Sequence, residues 1–448
     1  MAASSSSRPV VLALSNTITP ALAVEILPLG LAVNSIYLNA DGETHDIVEG
    51  PFDSKLHETP PYKYMNTLVG RYANRIPVKA DGHKISKGGY EGVVNVVKNG
   101  KSFSTLQIDF ARGCLIDYLE SDKVSLHGGP NTLDAMLFES LKLPESKLFS
   151  ETELRALHAT DYAHQLFTAT LADNHNGFPG TLRIEVLFTV INPEEIPVVS
   201  NPNVEKHVSL GSLLVVYRAR ILEPSKVTPV NLTQHWGFNL EASLRPTPHL
   251  NVRDHNMRID SEARIAIDTD LLPTGELEQN GGTPHDHTTG KKIGDLFPEH
   301  QNGYDHFYLF PQRVYDASIA TQPPRVQAAQ LSNTNLLTEL LSSKPAENPE
   351  VELWSEKSGY KVAFSSNQGG VQCYTANFQN GAGTRKKIHG GSAEGDGYPK
   401  EACVYLEFHD PLSAFLHPQN GIDSLLTSDE IYHNYVKLNF GFKPLARS

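Results

Sequence analysis

Two histidines and one carboxylate stand in surroundings that a simple pattern of strands and turns does not require. His127 precedes two glycines, which let backbone approach a ligand closely, and His235 stands beside Trp236, one of only two tryptophans. Glu407 lies within the otherwise apolar run 404–408. A carboxylate and an imidazole together can move protons between oxygen atoms near neutral pH, which is general acid and base catalysis.

Each of these residues also has a purely structural interpretation. His127 is explained equally by a turn or a satisfied core histidine, and His235 by a packed aromatic strand. Strand side chains alternate, so Glu407 shares a face with Cys403 and Tyr405. A carboxylate in such a strand is paired, exposed at a sheet edge, or held with a shifted pKa for proton transfer. The edge is the default interpretation until a partner is identified.

Other polar side chains are crowded beside apolar runs. Residues 70–76 contain two arginines and an amide, for which a solvated strand end is the structural alternative. Asp305 and His306 follow a glycine and a tyrosine, and Gln372 stands in the run 370–378. These residue types are able to donate and accept several hydrogen bonds.

A metal or a cofactor is not predicted. His285 and His287 would point the same way from a strand, but no third ligand follows at a recognisable spacing, and the flanking Gly and Pro favour a loop. The chain lacks a Gly-x-Ser-x-Gly elbow and a glycine-rich phosphate loop. We therefore expect chemistry that needs neither metal nor cofactor.

The elements that must position these residues are mostly strands. The 33 glycines and 29 prolines separate short runs rich in β-branched and aromatic residues. Predicted strands cover 105–110, 182–188, 213–217, 371–378 and 403–408, and the run 213–217 has the composition of a strand buried on both faces. Helices are predicted only at 334–343 and 150–157, the latter opening with a capping box of Ser150 and Glu153. The pattern predicts an all-β fold.

One large domain over residues 1–448 is the simplest organisation. Polar stretches near 192–208, 311–360 and 380–400 are predicted to be loop insertions, because strand signals continue on both sides of each. No repeat of fixed period occurs, and the alternation of strand and helix typical of dinucleotide-binding folds is absent.

Charge and composition exclude several classes of partner. The chain has 38 Lys and Arg against 51 Asp and Glu, a net charge of −13, so neither nucleic acid nor an anionic membrane is an expected partner. Three cysteines without metal-ligand spacing indicate free thiols, and no apolar run approaches the length of a membrane span. The short apolar run at 10–14 favours a first strand over a signal peptide, which predicts a cytoplasmic protein.

Taken together and in order, these segments resemble the aldose 1-epimerase (galactose mutarotase) family. The resemblance covers the chain from about residue 24 to residue 442. Its motifs are 70–76, 126–129, 177–180, 231–240, 272–276, 303–306, 370–378 and the strand that carries Glu407. It implies one large antiparallel β-sandwich, a supersandwich with few short helices and long loop insertions, that holds a sugar in a groove across a sheet.

The resemblance also implies residue roles. Glu407 is the expected general base, His235 the general acid, and His127 an assistant at the ring oxygen. The expected ligands of the sugar hydroxyls are Asn74, Arg75, Asp305 and Gln372. Opening a free aldose needs one base at the C1 hydroxyl and one acid at the ring oxygen, so a carboxylate with an imidazole is sufficient. The expected substrate is an aldohexose such as galactose or glucose.

Two alternatives remain open at this point. A mutarotase of phosphorylated hexoses would need a cationic pocket, for which Arg71 and Arg75 alone are not sufficient. A sugar-binding protein without catalysis could dispense with either His235 or Glu407. The chain also departs from the family pattern, because a tryptophan common after Gly129 is lacking and Trp236 follows His235. Both departures bear on the predicted sugar preference.

Overall fold

Strands dominate the computed structural model, which describes residues 8–14, 19–58, 62–99, 123–130, 132–193, 207–311, 322–342, 344 and 346–444. The predicted strand 105–110, Cys114 and most of the predicted insertion 192–208 lie outside the described residues. The all-β prediction is confirmed.

The strands are, in chain order, β1 (Val10–Ala13), β2 (Leu22–Ile26), β3 (Val33–Asn39), β4 (Thr44–Asp46), β5 (Leu68–Val69), β6 (Arg75–Pro77), β7 (His83–Lys87), β8 (Tyr90–Val94), β9 (Val124–Leu126), β10 (Glu139–Leu141), β11 (Ala163–Leu171), β12 (Leu182–Ile191), β13 (Val208–Ile221), β14 (Val227–Pro229), β15 (Thr233–Gln234), β16 (Gly237–Phe238), β17 (Asn256–Ile259), β18 (Ala263–Ile267), β19 (Pro273–Gln279), β20 (Lys291–Lys292), β21 (Asp305–Leu309), β22 (Arg325–Gln327), β23 (Val351–Trp354), β24 (Tyr360–Ser366), β25 (Gly370–Tyr374), β26 (Val404–His409), β27 (Leu425–Thr427) and β28 (Glu430–Phe442). The α-helices are α1 (Glu151–His158) and α2 (Leu337–Leu340).

Two large antiparallel sheets form the body of the molecule. The first has ten strands, in the order β10-β11-β12-β13-β28-β24-β23-β17-β20, with β22 paired to β28. The second has six, in the order β16-β26-β25-β21-β18-β19. A four-stranded sheet of β1 to β4 and several two-stranded ladders complete the structure. The predicted first strand is confirmed as β1.

The hydrophobic core lies between the two large sheets. Phe364 of the ten-stranded sheet stacks on Phe408 of the six-stranded sheet, with ring centroids 5.3 Å apart. Leu213, Val215 and Tyr217 of β13 face this core, whereas Leu214 and Val216 face a second apolar cluster on the outer side. The prediction that this strand is buried on both faces is confirmed.

The two helices cover the outer face of the ten-stranded sheet. The capping box of α1 forms as predicted: Ser150 Oγ accepts from the Glu153 amide, and the Glu153 carboxylate accepts from the Ser150 amide. Helix α2 is shorter than the predicted 334–343. Asn335 Oδ1 accepts hydrogen bonds from the amide and hydroxyl of Thr338, the second residue of the helix, so Asn335 lies before the helix start.

Two of the three predicted insertions lie mostly within the described residues. The stretch 311–360 contains β22, α2 and β23, and β23 is an inner strand of the ten-stranded sheet. The stretch 380–400 is irregular but anchored, because the buried Lys386 Nζ forms an ion pair of 2.7 Å with Asp46 of β4. No helix in the described part of the chain is long and apolar enough to cross a membrane.

Candidate active site

Three neighbouring strands of the six-stranded sheet carry one line of polar side chains. Strand β26 lies between β16 and β25, and Glu407 is only 2% exposed, so the default interpretation of an exposed sheet edge is wrong. In the antiparallel register Gln372 of β25 is directly opposite Glu407, while Asp305 begins the next strand, β21. Val404, Leu406 and Phe408 alternate into the core, which leaves Glu407 on the opposite face.

Two tight loops bring the end of the arginine-containing segment 70–76 against His127. Arg75 of β6 pairs with Leu126 of β9, so Asn74 and His127 follow the ladder at the same end. The Asn74 amide donates to His127 Nδ1 at 3.1 Å, and the His127 amide donates to the Asn74 carbonyl at 3.0 Å. Since Nδ1 is an acceptor, the neutral imidazole carries its proton on Nε2. Both residues have left-handed backbone conformations, with φ of 65° and 52°.

His235 is presented by the short connection between β15 and β16. Its backbone amide donates to the Thr67 carbonyl at 2.8 Å, and its carbonyl accepts from the Asn66 amide at 2.8 Å. The next side chain, Trp236, turns to the opposite side, is fully buried in the core and donates from Nε1 to the Leu406 carbonyl at 2.8 Å. Trp236 therefore lies away from the groove, and this departure from the family pattern does not alter the groove wall.

The seven predicted residues converge on one small cavity. Asn74, Arg75, His127, His235, Asp305 and Glu407 line it, and Gln372 supports Asp305 from behind. His235 Nε2 lies 3.4 Å from Glu407 Oε1. The His127 and His235 rings meet edge to face with centroids 5.2 Å apart.

Burial shifts the central pair toward its uncharged forms. The pKa of Glu407 is raised well above its usual range by burial and by the nearby Asp305 carboxylate, while Arg75 opposes the shift. Burial lowers the pKa of His235 to about 4. The pKa of His127 is lowered well below its usual range by burial, with contributions from His235 and Arg75. Burial therefore favours the uncharged carboxyl of Glu407 and the neutral imidazole of His235 over two separate charges.

A network of hydrogen bonds fixes the polar wall beside this pair. Gln372 Nε2 donates to Asp305 Oδ1 at 2.6 Å, and Arg75 Nη2 lies 3.6 Å from Asp305 Oδ2. Asn74 Oδ1 accepts from the Arg75 amide at 2.9 Å and from Arg75 Nη1 at 3.3 Å. The wall presents fixed donors and acceptors, which suits a ligand covered with hydroxyl groups.

The donor set of His127, His235 and Glu407 has the composition of a metal site but not its supporting contacts. One ligand atom from each lies within 4.8 Å of the others. A metal-bound histidine normally donates its other ring N–H to an acceptor, yet His127 Nδ1 accepts from a backbone amide. Its Nε2 would have to lose the only ring proton to bind a metal, so the arrangement favours proton transfer.

The other candidate residues, His285 and His287, make contacts that belong to the fold. His285 lies in a loop, as predicted, with Nδ1 2.8 Å from the Tyr308 hydroxyl and Nε2 2.9 Å from Gln301 Oε1. His287 is buried beside Tyr304. Neither histidine belongs to a group of potential metal ligands among the described residues.

Arg71 is also used by the fold. It is buried and donates from Nη1 to the carbonyls of Pro179 at 3.0 Å and Gly180 at 2.9 Å. This guanidinium is therefore committed to backbone and leaves Arg75 as the arginine that lines the cavity.

Two aromatic residues of the site were not assigned a role from the sequence. Tyr374 and Phe378 line the cavity, with ring planes 27° apart and centroids separated by 6.1 Å. Both stand in the same run as Gln372, so the motif located them, but alternation along β25 cannot place Phe378, which follows the strand end.

Comparison with known proteins finds a matching family model and several similar chains. The model of the aldose 1-epimerase family matches residues 203–419. Galactose mutarotase from Bos taurus is 26% identical over 388 residues, covering 86% of this chain and 82% of the bovine protein. Aldose 1-epimerase from Escherichia coli K12 is 22% identical over 265 residues, covering 57% of this chain and 56% of the bacterial protein.

Two solved structures are similar over almost the whole chain. A GalM/aldose epimerase homologue from C. elegans superimposes with a TM-score of 0.64 at 16% identity, covering 98% of this chain and all of the other. Galactose 1-epimerase from Lactobacillus acidophilus NCFM gives a TM-score of 0.60 at 16% identity, covering 98% and 99%. The antiparallel supersandwich is therefore the fold, and the chain is similar to proteins of the aldose 1-epimerase family.

Proposed function

We propose that this protein is an aldose 1-epimerase that interconverts the α and β anomers of a free aldohexose such as galactose or glucose. The observation that carries the proposal is the 3.4 Å separation between His235 Nε2 and Glu407 Oε1 at the floor of a polar cavity. Proton transfer to and from oxygen needs two groups within hydrogen-bond reach of one substrate, and the closeness of this pair supports that role.

In the proposed mechanism, substrate binding determines whether Glu407 or His235 carries the proton. A hydrogen bond from the C1 hydroxyl to Glu407 favours the carboxylate and leaves the proton on His235. Glu407 then takes the C1 hydroxyl proton while His235 protonates the ring oxygen, and the C1–O5 bond breaks to give an aldehyde. After rotation about C1–C2, the two transfers run in reverse on the other face, and both residues regain their starting protonation states.

The remaining residues hold the sugar during this exchange. His127 presents Nε2–H as a donor beside His235, which suits a hydrogen bond to the ring oxygen as its charge changes. Asn74, Arg75 and Asp305 are the proposed ligands of the hydroxyl groups, with Gln372 fixing Asp305. No group outside the chain is needed in any of these steps.

Polarimetry of freshly dissolved α-galactose tests the proposal. The wild type should accelerate the approach to anomeric equilibrium, and Glu407→Gln should lower kcat by about 10²-fold or more, the usual contribution of a general base. Glu352→Gln is a matched control, because Glu352 pairs with Arg258 on the ten-stranded sheet, away from the cavity. A folded wild type that leaves the rate of the buffer unchanged would refute the proposal.

The two alternatives predict different results in the same assay. A non-catalytic sugar-binding protein would bind galactose without changing the rate. A mutarotase of phosphorylated hexoses would act on galactose 6-phosphate or glucose 6-phosphate and not on the free sugars. The commitment of Arg71 to backbone carbonyls supports the free sugar.

We also propose that the chain acts in the cytoplasm as a single domain over residues 1–448. The support is the continuous core between the two large sheets, to which strands from β1 to β28 contribute. The acidic balance of the chain supports the further expectation that nucleic acid is not a partner.

A further inference from the structure

A second buried carboxylate lies behind the catalytic pair, outside the cavity lining. Glu49 follows the short bridge between Val48 and Phe238, and its side chain is almost completely shielded from solvent. Burial raises the pKa of Glu49 to about 7, with hydrogen bonds and Lys386 opposing the shift. The mechanism proposed above makes no use of this residue, although an isolated buried carboxylate is costly.

Tyr405 connects this carboxylate to the proposed general acid. It lies on the same face of β26 as Glu407, two residues earlier. Its ring packs against His235 with centroids 4.5 Å apart, and its hydroxyl donates to Glu49 Oε1. The ring that supports the imidazole is therefore anchored at its far end.

Glu49 is held through its side chain and through its backbone. Gln379 Nε2 donates to Glu49 Oε2 at 2.6 Å. The Glu49 amide donates to the Gly237 carbonyl at 3.1 Å, and Asn66 Nδ2 donates to the Glu49 carbonyl at 2.6 Å. Gly237 follows two residues after His235, so Glu49 is tied to the loop that presents the imidazole.

Three side chains pack closely around Gly237, the first residue of β16. A Cβ added to Gly237 would lie 2.9 Å from Cys403 Sγ and 3.1 Å from both Glu49 Oε1 and Tyr405 Cζ. Gly237 therefore packs directly against both Glu49 and Tyr405.

Ring packing contributes to the orientation of His235. The carbonyls of Tyr64 and of His235 itself face the imidazole, but Nδ1 makes no hydrogen bond of ordinary geometry with any described residue. A catalytic imidazole is commonly oriented by a hydrogen bond at the nitrogen that does not transfer the proton. Here the rings of Tyr405 and His127 are in contact with it instead.

We infer that Glu49 and Tyr405 form a positioning pair, in which the anchored tyrosine ring holds His235 at the angle needed for proton transfer to the ring oxygen. The inference rests on the proposed function. Neither residue is assigned contact with the sugar, since neither lines the cavity. Their effect should therefore fall on kcat, because a misdirected acid slows proton transfer without removing a ligand of the hydroxyl groups.

Four variants test the pair by steady-state polarimetry with galactose. Tyr405→Phe removes the hydroxyl, and Glu49→Leu removes its acceptor. The double variant measures whether the two losses are coupled. Glu49→Gln keeps an acceptor for the hydroxyl, since the Gln379 amide can turn to present its oxygen to the new amide group. Tyr308→Phe is the matched control, because it also removes a buried hydroxyl hydrogen bond from the six-stranded sheet, on the core face.

We expect Tyr405→Phe and Glu49→Leu each to lower kcat about tenfold with KM changed less than twofold. The double variant should be no slower than the worse single variant, Glu49→Gln should retain most of the wild-type kcat, and Tyr308→Phe should match the wild type. Unchanged kcat in both folded single variants, or losses that multiply in the double variant, would overturn the inference. An inactive wild type would instead refute the proposed function, so the two failures are distinguishable.

Discussion

At the scale of single residues, the site is built from groups whose charged forms are disfavoured by burial. Glu407 and His235 are both almost inaccessible, and their pKa values are shifted in opposite directions, upward for the carboxyl and to about 4 for the imidazole. A pair of this kind favours one shared proton over two charges. An epimerase benefits from that balance, because each group must both give and accept a proton in every turnover.

Gln372 provides a test of substrate holding as distinct from proton transfer. Gln372→Leu removes the 2.6 Å hydrogen bond to Asp305 and should raise KM for galactose about tenfold, since a hydrogen bond to a charged group contributes about 1.5–3 kcal/mol. The change in kcat should be small. Gln165→Leu, on the ten-stranded sheet, is the control. A loss confined to kcat would show that Gln372 serves the chemistry instead.

Sequence information located these residues but not their surroundings. The family resemblance was sufficient to select Asn74, Arg75, His127, His235 and Glu407, which the structure brings to one cavity. Tyr405 was placed on the correct face by alternation, yet its partner Glu49 is 356 positions away. No local pattern links such residues, so this contact was beyond prediction.

At the scale of elements, short ladders determine where the proposed catalytic groups are presented. The two-residue pairing of β5 with β15 fixes the His235 loop, and the pairing of β6 with β9 fixes Asn74 and His127. Strands of two or three residues carry almost no sequence signal, whereas the ten-residue β12 was predicted from its alternation. The loops that carry the proposed catalytic residues are thus placed by the elements that sequence patterns describe least well.

The anchoring of helix α1 allows stability to be tested separately from activity. Glu153 accepts two hydrogen bonds from Arg218 of β13, at 2.8 and 2.6 Å, within a fully buried contact. Glu153→Gln leaves the guanidinium charge without its counter-ion, and we expect it to lower the free energy of unfolding by about 3–5 kcal/mol. Urea denaturation measures this change.

Activity should be unaffected by that substitution at temperatures where the variant remains folded. The helix covers the outer face of the ten-stranded sheet, whereas the cavity belongs to the six-stranded sheet. The control Glu151→Gln, at an exposed position of the same first turn, should cost less than about 1 kcal/mol. Equal stability of the two variants would contradict the importance of the buried ion pair.

At the scale of the whole molecule, buried histidines should make the fold sensitive to acid. Burial lowers the pKa to about 3 or 4 at His57, His235, His255, His285, His287, His306, His389 and His409. Between pH 6.5 and about 4 the unfolded chain binds protons at these residues and the folded chain does not, so stability falls as the pH decreases.

A few carboxyls act in the opposite direction. The pKa values of Glu49, Asp134, Glu407 and Asp410 are raised by burial, which favours the folded state as the pH falls. The eight histidines outnumber them, so the urea midpoint should decrease from pH 7 to pH 5. A midpoint that is constant or rises over this interval would show that the histidines are protonated in the folded protein.

The overall architecture was the most predictable property, because it depends on many strands at once. Alternation and the spacing of glycine and proline predicted an all-β fold, and the family resemblance supplied the supersandwich. The stretch 311–360 was predicted as an insertion because it is polar, yet it contributes β23 to the interior of the ten-stranded sheet. A four-residue strand within a polar segment has too few residues for its period to be recognised.

The most direct test of the account is magnetisation transfer between the α and β H1 resonances of galactose at anomeric equilibrium, because it detects the proposed reaction itself without a net change in composition. The wild-type protein should increase the exchange rate in proportion to its concentration, whereas Glu407→Gln and His235→Asn, each shown to be folded, should reduce that increase by about 10²-fold or more. Exchange that stays at the rate of buffer alone with folded wild-type protein, or that persists in both variants, would contradict the assignment of catalysis to this pair.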